Sequence, residues 1–202
     1  MNPATAALIL GDLQNDFLHP EGAYGRSGVG SPALAALPDK LAPVAQAARA
    51  RGMLVAATLF TLVPGRAGGA IIAPHLKALR PFLTTGDFAP GSWGQQLVDT
   101  LAPADVMVEK VAYSAFRASR LEWVLRKCGV EELFFTGIVT NGGVASTVRD
   151  AHVREFGCTV IEDGCAALSD ELHRAAIEGL RPVAKVITIA QAIATIAESR
   201  GG

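Results

Sequence analysis

The sequence predicts an α/β fold: a three-layer α/β/α sandwich around a six-stranded, mainly parallel, doubly wound sheet. Three observations carry this prediction. Apolar runs of strand length alternate with stretches of helix length, as in successive βαβ units. The strand runs are continuously apolar, which implies cover on both faces of the sheet. The mean hydropathy of +0.32 is high enough for a well-covered sheet and a buried subunit interface.

The first strand is Ala6-Ala7-Leu8-Ile9-Leu10, ending at Gly11-Asp12. Residues 34–51 then read as a helix, with Leu34, Leu37, Leu41, Val44, Ala45 and Ala48 on one side and Gly52 at the C-terminal cap. Residues 53–59 form the second strand. A Gly- and Pro-rich segment over 61–104 follows, too long for an ordinary connection, and reads as a functional or interface loop. The third strand is 106–108, and a helix over 121–128 stops at Gly129. The fourth strand is 132–138, and a helix over 144–155 stops at Phe156-Gly157. The fifth strand is 159–161, followed by a helix over 170–180 capped by Ser169. A sixth strand over 186–188 and a helix over 190–199 finish the pattern, with Gly201-Gly202 as a frayed end.

The chain of 202 residues suits one domain, 1–202, carrying the long loop at about 61–104. Half of its residues are hydrophobic and 18% charged, which argues against disorder. Lys+Arg 18 against Asp+Glu 19 leaves a net charge of −1, so neither nucleic acid nor an anionic membrane is an expected partner. No apolar run approaches the roughly 18 residues needed to span a bilayer, and no secretory signal is visible. Cys128, Cys158 and Cys165 are an odd number without CxxC spacing, which fits a reducing, cytoplasmic compartment.

In open α/β sheets ligands bind beyond the carboxyl ends of the strands. Those ends hold Asp12 to Phe17, Phe60-Thr61, Lys110, and Thr140 to Gly143. A carboxylate and an ammonium at strand ends that face one cavity would form an acid–base pair with perturbed pKa values. The bland reading makes Asp12 a turn cap and Lys110 a solvated strand end.

Four stretches carry a resemblance to a known family. They are Leu10-Gly11-Asp12-Leu13-Gln14-Asn15-Asp16-Phe17, Lys110-Val111-Ala112-Tyr113-Ser114-Ala115-Phe116, Gly137-Ile138-Val139-Thr140-Asn141-Gly142-Gly143-Val144, and Asp163-Gly164-Cys165-Ala166-Ala167. In order and spacing they resemble the motifs of the isochorismatase-like, or cysteine hydrolase, superfamily. The resemblance implies that Asp12 and Lys110 match two members of an Asp, Lys, Cys triad. The nucleophile position then falls on Gly143, which has no side chain, so an acyl-enzyme route is closed. Cys158 and Cys165 read as buried structural thiols and do not replace it.

One branch of the superfamily, the true isochorismatases, also has glycine there and cleaves a vinyl ether with the Asp as general acid. The segment Tyr113 to Leu121 is similar to that branch, and Arg117 is the expected anion contact. The resemblance places Gln14, Phe17, Phe60, Tyr113, Phe116, Arg117, Val139 and Asn141 around the substrate. It also implies backbone N–H donors at Gly143 and Val139 after a cis Ile138–Val139 peptide. Phe60 stands where isochorismatases carry a glutamine, which argues against isochorismate itself. Trp93 reads equally as a pocket wall or a core aromatic.

No metal and no cofactor is expected. The four histidines (His19, His75, His152, His173) share no ligand spacing, and Gly25 to Gly30 does not join a strand to a helix as a dinucleotide loop would. The resemblance implies a homodimer or homotetramer acting on a small molecule. Three functions stay open. One is a hydrolase of a small anionic metabolite using Asp12 and Lys110 without a thiol intermediate. The second is a non-catalytic member binding a metabolite or partner. The third is an amidase inactivated by glycine at the Cys position, in which case Gly143 is not the natural residue.

Overall fold

The computed structural model describes residues 1–199, so the expected frayed end at Gly201-Gly202 lies outside the described residues. Six parallel strands form one sheet in the order β3-β2-β1-β4-β5-β6. They are β1 (Ala6–Gly11), β2 (Leu54–Phe60), β3 (Val106–Lys110), β4 (Glu132–Ile138), β5 (Gly157–Ala166) and β6 (Lys185–Ile187). The strand order reverses between β1 and β4, which leaves a crevice at their carboxyl ends.

The helices are α1 (Asn15–Leu18), α2 (Ala23–Arg26), α3 (Pro32–Ala35), α4 (Leu37–Ala50), α5 (Pro74–Leu79), α6 (Leu121–Lys127), α7 (Ala145–Val153), α8 (Asp170–Leu180) and α9 (Ile189–Ala197). Alternate β1 residues feed the two faces. Leu8 and Leu10 pack with α4 and α9 residues such as Leu41 and Ile196. Ala7 and Ile9 pack with Leu121, Leu125 and Val148 of α6 and α7. Both faces of the central strand are therefore buried, which is why its sequence shows no polar alternation.

Several boundaries differ from the expected ones. The helix expected over 34–51 is two helices, because Pro38 at the start of α4 lacks an N–H and restarts the helix after Ala36. The strand at 159–161 extends to Gly157–Ala166, with a register shift against β4 between Phe135 and Gly137. Polar Glu162 and Asp163 hide that extension from a search for apolar runs. The helix expected from residue 144 begins one residue later, because Thr140–Val144 forms a wider π-type turn. Ser169 caps α8 as its position suggests, its hydroxyl accepting from the Leu172 N–H.

The segment between β2 and β3 is ordered around α5 and an aromatic cluster. Phe17, Tyr24, Phe60 and Phe88 meet there, with Phe17 and Phe88 centroids 4.5 Å apart and Phe60 and Phe88 5.2 Å apart. Asp16 clasps this unit: its buried carboxylate accepts from the N–H of Ala23 at 2.9 Å and of Phe88 at 2.6 Å. One charged side chain thus ties α1 to α2 and to the long segment.

Candidate active site

Asp12 follows β1 directly, in the left-handed region with φ 57°. Its N–H donates to the Thr58 carbonyl at 3.0 Å, and the Thr58 hydroxyl donates to Asp12 Oδ1 at 3.0 Å. The end of β2 therefore fixes both the backbone and the carboxylate of Asp12. Lys110 is the last residue of β3. Its Nζ lies 2.7 Å from Asp12 Oδ2 and donates to the carbonyls of Ala112 at 2.9 Å and Tyr113 at 3.1 Å. All three ammonium hydrogens are thereby engaged.

The pair is almost fully enclosed, with side-chain exposures of 3% for Lys110 and 6% for Asp12. Burial pushes the Asp12 carboxyl above the usual carboxylate range, while the Lys110 ammonium and the Thr58 hydroxyl pull it back. The ion pair and the burial act in opposite directions, and burial is the larger effect. A buried pair of this kind costs desolvation on both sides, so its presence at a cleft marks chemistry better than stability.

The third component comes from the turn after β4. That strand runs close to β1 because Gly137, at φ +112°, has no Cβ to strike the Gly11 backbone. The Ile138–Val139 peptide is cis. Gly143 then faces the ion pair: a Cβ placed on it would lie 3.2 Å from Asp12 Oδ2, 3.7 Å from Lys110 Nζ and 3.0 Å from the Ile138 carbonyl. The position projects straight at the acid–base pair and carries nothing.

A cleft opens over these three residues. Of the residues expected around a substrate, Phe17, Phe60, Tyr113 and Val139 line it together with Asp12, Lys110 and Gly143. Gln14 does not. Its buried amide donates to the carbonyls of Phe60 and Gln95 and accepts from the Phe60 N–H, so it ties the chain after β1 to the end of β2 and to the long segment. Phe116 faces the other layer and stacks on Phe156 at 5.9 Å. Arg117 and Asn141 point to solvent outside the cleft. The physical reason is that Arg117 and Phe116 lie in a turn after Tyr113, and only the start of that turn reaches the sheet end. Trp93 is neither core nor cleft wall: it is 47% exposed and packs edge-on against His19.

Sequence reasoning missed Tyr24, Arg80 and Phe88, which also line the cleft. Arg80 Nε donates to the Tyr24 hydroxyl at 2.9 Å. All three are delivered by α2 and the long segment, which have no strand-end position to betray them; the one available signal was the length of the segment itself. Cys158, its thiol pushed up to about 11 by burial, and the buried Cys165 both lie outside this cleft. Among the described residues no three His, Cys, Asp or Glu side chains group as a metal site, and no helix is long and apolar enough to cross a membrane.

A buried Asp–Lys pair at the carboxyl ends of a doubly wound sheet, with the turn after β4 facing it, marks a candidate small-molecule site of the kind α/β enzymes use. The isochorismatase domain model matches residues 6–191, and the chain belongs to the isochorismatase-like (cysteine hydrolase) superfamily. It is 36% identical over 193 residues to the ureidoacrylate amidohydrolase RutB of Methylobacterium radiotolerans, covering 89% of this chain and 74% of that protein. The solved cysteine hydrolase of Pseudomonas syringae pv. phaseolicola superposes with a TM-score of 0.86 at 24% identity, covering 99% and 96% of the two chains, which speaks for the fold. The nicotinamidase PncA of Bacillus subtilis superposes with a TM-score of 0.73 at 26% identity, covering 90% of this chain and 98% of its own.

Proposed function

We propose that this protein hydrolyses a small anionic metabolite by direct acid–base chemistry of Asp12 and Lys110, with no covalent enzyme intermediate. The observation that carries the proposal is Gly143: the slot facing the pair holds no nucleophile, while the pair itself is intact and buried. Its raised pKa suits the Asp12 carboxyl to deliver a proton.

With an enol ether the steps balance as follows. The Asp12 carboxyl protonates the vinyl carbon, and the electron pair of the double bond forms the new C–H bond. The resulting oxocarbenium ion takes up water, whose spare proton returns to the Asp12 carboxylate. The hemiketal then breaks its C–O bond, giving a ketone and an alcohol. Lys110 holds Asp12 in place through this cycle and keeps a positive charge beside the ionised form.

A second reading is favoured by the 36% identity to an amidohydrolase: an amidase scaffold whose nucleophile position holds glycine. One panel separates the readings. Isochorismate, ureidoacrylate, nicotinamide and a carbamoyl amino acid are offered to the wild type and to Asp12→Ala. Turnover of any of these by the wild type and its loss in Asp12→Ala support direct hydrolysis. Equal turnover by both variants would sink it, and binding without turnover would point to a protein that only holds its ligand.

A further inference from the structure

We infer that Arg80 and Tyr24 form a carboxylate receptor at the cleft, so that the ligand is a small monocarboxylate with a flat apolar body. The inference rests on the reading of this cleft as the substrate site and names the chemistry it selects.

Arg80 reaches the cleft from the residue after α5 and is only partly exposed. Of its five N–H donors, Nε is taken by the Tyr24 hydroxyl at 2.9 Å and one hydrogen of Nη1 by the Leu79 carbonyl at 3.0 Å. The other three have no partner among the described residues, and Arg80 has no carboxylate within ion-pair distance there. A guanidinium held by a phenol and left with a free fork is arranged for a planar anion. Tyr24 is buried, and its oxygen is occupied as the acceptor from Arg80. Its hydroxyl hydrogen is therefore free to donate to the same anion. The two residues offer a bidentate fork and a third donor together.

Charge agrees with this. The cleft holds two cations, Lys110 and Arg80, against one carboxylate, Asp12. Since Lys110 already faces Asp12 at 2.7 Å, the uncompensated charge belongs to Arg80. The wall beside Tyr24 is aromatic, with Phe17 at 4.8 Å from Tyr24 and Phe60 and Phe88 next to it. A flat apolar body fits there, with its carboxylate at Arg80 and its reacting end toward Asp12 and Gly143.

The test is calorimetric titration of the full chain with benzoate and with its neutral analogue benzamide, for the wild type, Arg80→Gln, Arg80→Lys and Tyr24→Phe. Benzoate is expected to bind the wild type more tightly than benzamide. Arg80→Gln should weaken benzoate by about 10- to 100-fold, the range for a hydrogen-bonded charge, and leave benzamide unchanged. Arg80→Lys should recover part of the loss, and Tyr24→Phe should cost about fivefold. Thermal melting of each variant shows whether it is folded. Undiminished benzoate binding in Arg80→Gln, benzamide binding as tight as benzoate, or no benzoate binding by the wild type would each overturn the receptor. Because the readout is binding, a receptor that holds benzoate in a protein with no turnover would leave this inference standing and defeat the hydrolase reading alone.

Discussion

Replacing Gly143 by Cys tests how much thiol-hydrolase machinery surrounds that position. The new Cβ would sit 3.0 Å from the Ile138 carbonyl and 3.2 Å from Asp12 Oδ2, closer than ordinary contacts, so neighbours must give by a few tenths of an ångström. Such crowding costs about 1 kcal/mol, at the low end for overpacking. The sulfur would lie between Asp12, which can take its proton, and Lys110, whose Nζ is 3.7 Å from the Cβ. A free thiol with a pKa near 8.5 is only about 3% ionised at pH 7. A fall of about two units, within the range seen beside lysine, would make it roughly three-quarters thiolate, a gain of about 25-fold. The assay is iodoacetamide alkylation at pH 7, with the exposed Cys128 as internal control, alongside ammonia release from ureidoacrylate and nicotinamide. Rapid labelling at position 143 with new amidase activity, both lost in the double variant with Asp12→Asn, is the expected result. Labelling no faster than Cys128 would refute the claim that the pair is arranged to activate a group at that position.

Other outcomes follow from the same geometry. Asp12 binds its proton more tightly in the folded chain than in the unfolded one, because burial raises its pKa. Its contribution to stability is therefore complete below the unfolded value of 3.8 and declines as pH rises through the folded value. Acting as an acid, it should give kcat/KM falling with rising pH in the wild type. In Gly143→Cys, where it acts as a base, the same group should give an acid limb instead; parallel profiles would contradict the two roles. Lys110→Met leaves a buried carboxylate without its partner and should cost about 3–5 kcal/mol in urea unfolding and abolish turnover. Asp16→Ala removes the acceptor of the Ala23 and Phe88 N–H groups and should cost about 3–6 kcal/mol, two charge-assisted hydrogen bonds. It should also weaken benzoate binding, since the long segment that carries Arg80 loses its clasp.

The strand ends were legible because burial on both faces writes a continuous apolar run, as in Ala6 to Leu10, and chemistry must follow where that run stops. Asp12 sits at such a stop, Lys110 ends the edge strand β3, and Gly143 lies in the turn beyond β4; their motifs drew the family resemblance. Gln14 and Arg117 show where position along the chain misleads. Gln14 is two residues from Asp12 yet spends its whole amide on backbone groups. Arg117 is seven residues from Lys110 yet points to solvent. Direction, not proximity in sequence, decides which side chain enters the cleft.

By itself the sequence indicated the doubly wound sheet and the missing side chain at position 143, and its resemblance to a family singled out Asp12 and Lys110. Each depends on local hydrophobic pattern or on the identity of one residue. The tertiary structure decided the rest: that Thr58 holds Asp12, that Asp16 fastens the long segment, and that Arg80 supplies the unpaired charge in the cleft. Those contacts join residues tens of positions apart, such as Tyr24 to Arg80 and Asp16 to Phe88. No periodicity encodes them, because each depends on which side chains the long segment brings opposite one another in space.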